Sequence, residues 1–173
     1  ELYSGPGGLG LGAAMASVKH EGVRWLTEPS WTNDYCGDTC KTWEKNVLGY
    51  ERKTKGFKGE VAIHVGDVRK LDIASLDSVD GLMFGFPCND FSNVGEKKGL
   101  QGTFGPLYSY GVKVLRKSNQ PSWFIAENVS GITSSDNGNT LKTILDELRD
   151  SGYKISAHKY CLEQYGVPQR FGR

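Results

Sequence analysis

The sequence predicts an α/β domain built on a doubly wound, mostly parallel sheet. Three observations predict it. Short apolar, β-branched runs alternate with segments of helical periodicity along most of the chain. A glycine turn or an acidic residue follows each of the first three strand-like runs, at Gly5, Asp34 and Asp67. A cysteine, Cys88, and a glutamate, Glu127, follow the next two. In open α/β sheets ligands and chemistry gather outside the carboxyl ends of the strands, so this division suggests a cofactor on one half and a reaction on the other.

The size and composition fit one globular domain, residues 1–173, with 38% hydrophobic and 24% charged residues. The 23 glycines exceed the usual ~7% and point to tight turns and close backbone approach to a ligand. A net charge of +1 neither demands nor excludes nucleic acid. The four cysteines, Cys36, Cys40, Cys88 and Cys161, contain no C-x-x-C pair, so neither a zinc site nor a disulfide framework is expected. Reduced, intracellular cysteines fit better, and no run reaches the length of a membrane span. The chain opens at Glu1 on what reads as the end of a core strand and stops just after a loop-like Gly166-Val167-Pro168-Gln169. Both ends are therefore expected to lie inside a larger fold, as a fragment or as one subunit.

Residues 1–8, ELYSGPGG, read as a short strand and a glycine turn, and residues 9–20 as a helix with Leu9, Leu11, Ala13, Ala14, Met15 and Val18 on its apolar face. The turn either lets the backbone approach a cofactor or is only tight. A second strand region covers Val23 to Leu26 and Trp31-Thr32, with Pro29 between them. Asp34 at its end can accept from a ribose diol or cap the helix expected over residues 37–47, and Glu28 is a rival acid. Tyr35 can stack on an adenine. The basic stretch 49–59 reads as a solvated loop. Val61 to Val65 is a third strand ended by Gly66-Asp67-Val68, with His64 packed in or beside the sheet and Asp67 placed to meet an adenine amino group. Residues 73–76 suggest a short helix.

Residues 79–84 read as the strand that delivers Gly85-Phe86-Pro87-Cys88. Its position leaves two roles open for Cys88, a reactive thiol or a small buried hydrophobe. The connection from Cys88 to Gly105 is long, glycine-rich and carries Lys97 and Lys98, as a lid over a phosphate-bearing substrate would, or an ordinary surface loop. A helix is expected over 107–117, a strand over 121–126 ending in Glu127-Asn128-Val129, and a helix over 139–151. Glu127, partly desolvated after an apolar strand, can serve as an acid or merely cap backbone donors. Residues 153–162 alternate as a half-exposed strand does.

Four stretches in this order, ELYSGPGG, GFPCNDFS, ENV and QYGVPQRFGR, resemble the cytosine-C5 DNA methyltransferases over nearly the whole chain. The resemblance implies the S-adenosyl-L-methionine (AdoMet)-dependent methyltransferase fold, truncated here before its last antiparallel strand, and 5-methylcytosine as product. It implies an AdoMet turn at Tyr3, Gly5, Gly7 and Gly8, with Asp34 on the ribose, Tyr35 stacked on adenine, Asp67 and Val68 holding the adenine, and Pro87 and Leu107 lining the same pocket. It makes Cys88 the nucleophile, Glu127 the group at cytosine N3 and Arg173 the arginine near cytosine O2. Pro87, Ser92, Asn128 and Gln169 would contact the substrate, double-stranded DNA. A target-recognition domain, a further strand and a C-terminal helix are expected outside this chain, in a second polypeptide or a missing region. Four places depart from the family pattern: Tyr35 where tryptophan is more usual, Asn89-Asp90 where glutamine and a small residue are, Phe171 where an arginine is, and a stretch between Gly8 and Asp34 longer than in compact members.

The chemistry accounts for the residue types. Cytosine C5 accepts a methyl group once a thiolate has added at C6. An acid at N3 stabilises the adduct. The base must leave the duplex to be reached. A catalytically silent AdoMet- or nucleic-acid-binding module, and a methyltransferase acting on RNA, are the competing readings at this point.

Overall fold

The computed structural model describes residues 1–87, 107–169 and 172. Its elements, in chain order, are α1 (Gly8–Met15), β1 (Ser17–His20), β2 (Val23–Leu26), β3 (Trp31–Asp34), α2 (Gly37–Trp43), β4 (Ala62–Val65), β5 (Gly81–Gly85), α3 (Tyr108–Leu115), β6 (Trp123–Glu127) and α4 (Asn139–Asp150). The architecture is mixed α/β. β3 pairs in parallel with β4, and β5 with β6. Leu2, fully buried, joins the two pairs by parallel bridges to Asn33 of β3 and Phe84 of β5. Its N–H donates to the Met83 carbonyl at 2.9 Å, and the Asn33 N–H donates to the Glu1 carbonyl at 2.9 Å. The spatial order is therefore β4, β3, Leu2, β5, β6. The short apolar opening of the chain sits at its centre, because a segment flanked on both sides has all its backbone groups paired.

Two apolar clusters flank these strands. The larger gathers Leu82 and Phe84 of β5 with Val112 and Leu115 of α3 and Ile144 and Leu148 of α4. Gly111 lets α3 settle on β5, since a Cβ there would stand 2.6 Å from the Phe84 ring. The smaller cluster packs Ala14 of α1 against Trp43, Val47 and Leu48. Gly7 permits that contact and the turn before it. Its φ is +100°, and a Cβ would lie 2.8 Å from Val47 Cγ2 and 3.0 Å from Trp43 Cδ1. Gly7→Ala combines backbone strain with overpacking and is expected to cost about 2 kcal/mol or more. Urea unfolding measures it, and a loss below about 0.5 kcal/mol would show that the turn tolerates a side chain.

Three expectations are corrected. The helix expected over 9–20 stops at Met15, where Ala16 turns extended (φ −72°, ψ 143°). Residues 17–20 instead form β1, which pairs antiparallel with β2 across Glu21-Gly22. Both loop residues have positive φ, 49° and 79°, the combination that matches the twist of a two-residue hairpin. The stretch 49–59 is not a loop throughout. Two π-helical turns, Glu44–Leu48 and Glu51–Lys55, carry the helix on from α2 until Gly56 ends it at φ 68°. The reason is a hidden ion pair: Glu51 is 1% exposed, and Lys55 Nζ donates to its Oε1 at 2.9 Å and to the Thr27 carbonyl at 2.9 Å. Residues 153–160 form no ladder among the described residues. The Tyr153 ring meets Phe124 edge-on at 5.0 Å and its hydroxyl donates to the Pro121 carbonyl at 2.6 Å, so that side chain is anchored although its backbone pairs with no strand among the described residues. Cys161 does bridge Gly172.

Candidate active site

The end of β5 and the end of β6 stand side by side. Gly85 is the register partner of Glu127, so the Glu127 carboxylate leaves the sheet at the level where β5 runs into Phe86 and Pro87. A Cβ at Gly85 would lie 3.2 Å from Glu127 Oε2, so a side chain there would press that carboxylate aside by a few tenths of an ångström. Asn128 ties the two ends together. Its Nδ2 donates to the Phe86 carbonyl at 3.0 Å and its Oδ1 accepts from the Val129 N–H at 2.8 Å. Strand pairing and one amide thus hold the approach to residue 88 beside Glu127. Cys88, Ser92 and Arg173 lie outside the described residues. Gln169, which does lie within them, donates its N–H to the Val167 carbonyl at 2.7 Å.

A second group of expected residues gathers at the carboxyl ends of β3 and β4. Tyr3 and Gly5 have positive φ, 55° and 52°, which turns the chain sharply after Leu2. The Tyr3 hydroxyl donates to the Leu107 carbonyl at 2.6 Å. Burial pushes the Tyr3 phenol up, so it stays a neutral donor. Asp34 is a hub: its Oδ2 accepts from the Gly5 N–H at 2.8 Å, and its Oδ1 accepts from the Cys36 N–H at 3.0 Å and the Thr39 hydroxyl at 2.8 Å. Tyr35 beside it is 78% exposed, a free aromatic face. Asp67 caps the short 3-10 turn Val68–Lys70. Its hydrogen bonds from the Arg69 side chain and backbone hold its carboxyl well below the usual range, at about 2. The Val68 side chain is buried in the larger core cluster.

A groove of about 900 Å³ lies elsewhere. Trp31, Gly81 and Trp123 line it at the amino ends of β3, β5 and β6. The chemistry lies at the carboxyl ends, which carry Glu127, Asp34 and Asp67 and are the side of such a sheet that binds ligands.

This arrangement, a glycine turn and acids at one pair of strand ends and Phe86-Pro87 with Glu-Asn-Val at the other, agrees with comparison to known proteins. The family model for C-5 cytosine-specific DNA methylase matches residues 1–173. The chain belongs to that family. It is 45% identical over 179 residues to the Type II methyltransferase M.BbvI of Brevibacillus brevis, covering 98% of this chain and 46% of the relative. It is 34% identical over 169 residues to the Type II methyltransferase M.BanI of Aneurinibacillus aneurinilyticus, covering 98% and 35%. It is 29% identical over 170 residues to the Type II methyltransferase M.NgoFVII of Neisseria gonorrhoeae, covering 97% and 40%. The chain spans less than half the length of each. No helix among the described residues of this family member is long and apolar enough to cross a membrane.

Sequence reasoning reached Glu127, Asp34 and Asp67 because an acid after an apolar run is visible locally. It assigned Asn128 to the substrate and did not foresee the bond to Phe86. It passed over Thr39 and Arg69, since a threonine in a helix and an arginine in a basic turn carry no local signal.

Proposed function

We propose that this chain is the catalytic part of a DNA cytosine-C5 methyltransferase of a restriction-modification system, acting inside the cell on double-stranded DNA. The observation that carries this reading is the pairing of Gly85 with Glu127, braced by Asn128, three residues ahead of Cys88. A doubly wound sheet is the fold we assign, supported by the strand order through Leu2 and by the two helix-bearing clusters.

The cofactor assigned is AdoMet, which supplies the methyl group. The residues present suit it. Tyr35 offers an open ring, Asp67 an acceptor for an amino group, and Asp34 a second lone pair on Oδ2 for a ribose hydroxyl. Tyr3, Gly5, Gly7 and Gly8 would form its turn, Val68 would help Asp67 hold the adenine, and Pro87 and Leu107 would line the same pocket. On the substrate side the Cys88 thiolate adds to C6 of a base swung out of the duplex, placing electron density on C5. Glu127 holds a proton at N3 and so stabilises the adduct. Once C5 carries the methyl group, its proton leaves to a base, the C5–C6 double bond re-forms and the thiolate departs. Asn128 holds the Phe86–Pro87 approach, and Ser92, Gln169 and Arg173 contact the flipped nucleotide. Target recognition is assigned to the length that the relatives carry beyond the matched region, in the same chain or in a second one.

Duplex DNA with 5-fluorocytosine tests this. The fluorine cannot leave as the proton does, so the adduct persists. We expect an AdoMet-dependent covalent complex with the protein that carries this chain, seen as a band stable to denaturant, and none from Cys88→Ala. No adduct, or one surviving Cys88→Ala, would sink the proposal. An adduct on RNA alone would transfer the reading to an RNA methyltransferase.

A further inference from the structure

Arg69 turns its Nε, one Nη and its backbone N–H on one neighbour. Its Nε donates to Asp67 Oδ1 and Oδ2, both at 2.9 Å, its Nη2 donates to Oδ2 at 2.6 Å, and its backbone N–H donates to Oδ1 at 2.9 Å. This is no ordinary surface ion pair. A bidentate guanidinium–carboxylate contact fixes both planes, where a single lysine contact would leave the carboxylate free to turn. The pair sits two residues past the end of β4, on a turn whose next residue, Val68, is anchored in the core. Arg69 also lies within electrostatic reach of Tyr35 and Tyr110, and Lys113 Nζ stands 4.1 Å over the Tyr110 ring. The Asp67 side chain is 20% exposed, which leaves the clasped carboxylate an open side.

We propose that Arg69 is a positioning residue that presets the Asp67 carboxylate as an acceptor for the exocyclic amino group of the cofactor's adenine, and so sets the preference of the site for 6-aminopurine. The proposal rests on the AdoMet reading above. A carboxylate offers about four lone-pair directions, and a guanidinium approaching edge-on takes the two that face it. The Arg69 backbone N–H takes a third, on Oδ1, and the outer direction on Oδ2 remains for a donor from the ligand. A preset acceptor gains affinity because no rotamer need be frozen on binding, and it discriminates because a ligand lacking the donor leaves the site's polar group unmatched.

The test compares S-adenosyl-L-homocysteine with its analogue bearing hydrogen in place of the 6-amino group, by calorimetry on the protein that carries this chain. The unaltered protein is expected to prefer the amino form by about tenfold or more, the scale of a hydrogen bond to a charged acceptor. In Arg69→Ala that preference should shrink to about threefold or less while affinity for the analogue moves less than about twofold, as loss of one preset bond requires. Arg69→Lys should fall between them. An unchanged preference in Arg69→Ala, an equal weakening of both ligands, or tighter binding of the amino form would overturn the proposal. The last would make Arg69 a competitor for Asp67. Arg69 is half exposed, and matching melting curves would confirm that its variants fold. If the unaltered protein binds neither ligand, the cofactor reading itself falls, an outcome separate from a failure of Arg69.

Discussion

Cys88→Ala is expected to lower methyl transfer about ten-thousand-fold or more, the scale seen when an enzyme loses its nucleophile. Alanine cannot add to C6, and without that addition C5 has too little electron density to accept a methyl group. Glu127→Gln should act differently, slowing transfer by about a hundred- to ten-thousand-fold, the range for a lost general acid. The amide keeps the shape of the carboxyl but cannot hand over a proton. Single-turnover incorporation of labelled methyl, in the protein that carries this chain, separates the two. Cys88→Ala should abolish both transfer and the 5-fluorocytosine adduct. Glu127→Gln should slow the formation of the adduct without preventing it. Both should keep S-adenosyl-L-homocysteine affinity, because neither residue belongs to the group around Asp34 and Asp67. Transfer within about tenfold of the unaltered protein after Cys88→Ala would be too fast for a mechanism through this thiol. The register partner of Glu127 makes a gentler probe possible. Gly85→Ala would crowd Glu127 Oε2, and a rate loss with stability preserved would locate the effect in that carboxylate.

Phe84→Ala is expected to destabilise the fold by about 3–5 kcal/mol, the cost of emptying a buried aromatic site. Phe84 is 1% exposed. Its ring lies 6.1 Å from that of Phe86 and 6.0 Å from that of Phe124, and Gly111 of α3 presses against it. The backbone of the same residue bridges to Leu2, so the cavity would open where the central strand, β5 and α3 meet. A domain is stable by only about 5–15 kcal/mol, so this one truncation would remove about a fifth or more of that margin. Urea titration should show a lower midpoint with little change in slope. A loss under about 1 kcal/mol would mean that α3 collapses into the space, which the backbone of Gly111 makes geometrically open to it.

Much of the fold was legible where a segment's own periodicity decides its structure. β5, with its run of apolar residues, and α4, with Leu141, Ile144 and Leu148 at helical spacing, match the expectations closely. The misreadings share a cause. Residues 17–20 are compatible with a helix, and they become β1 only because β2 is there to pair with them across Glu21-Gly22. Glu51 and Lys55 look like solvated charges until each is seen to bury the other. Residues 153–160 alternate as a strand does, but a strand also needs a neighbour, and alternation does not supply one.

The sequence by itself determined the chemistry on offer: a thiol after one apolar run, a carboxylate after another, acids and glycines after the first three, in the order that marks the family. These are properties of short stretches, each set by the residues within it. The tertiary structure alone decided how they meet. It levelled Glu127 with Gly85, bonded Asn128 to the Phe86 carbonyl 42 residues away, and bound Asp34 to the Gly5 N–H 29 residues away. It also clasped Asp67 with Arg69, only two residues on, because a core-anchored Val68 between them sends both side chains to one side. Hydrogen bonds and charges act over a few ångströms, and which groups come that close depends on how separate segments pack, which no single stretch encodes.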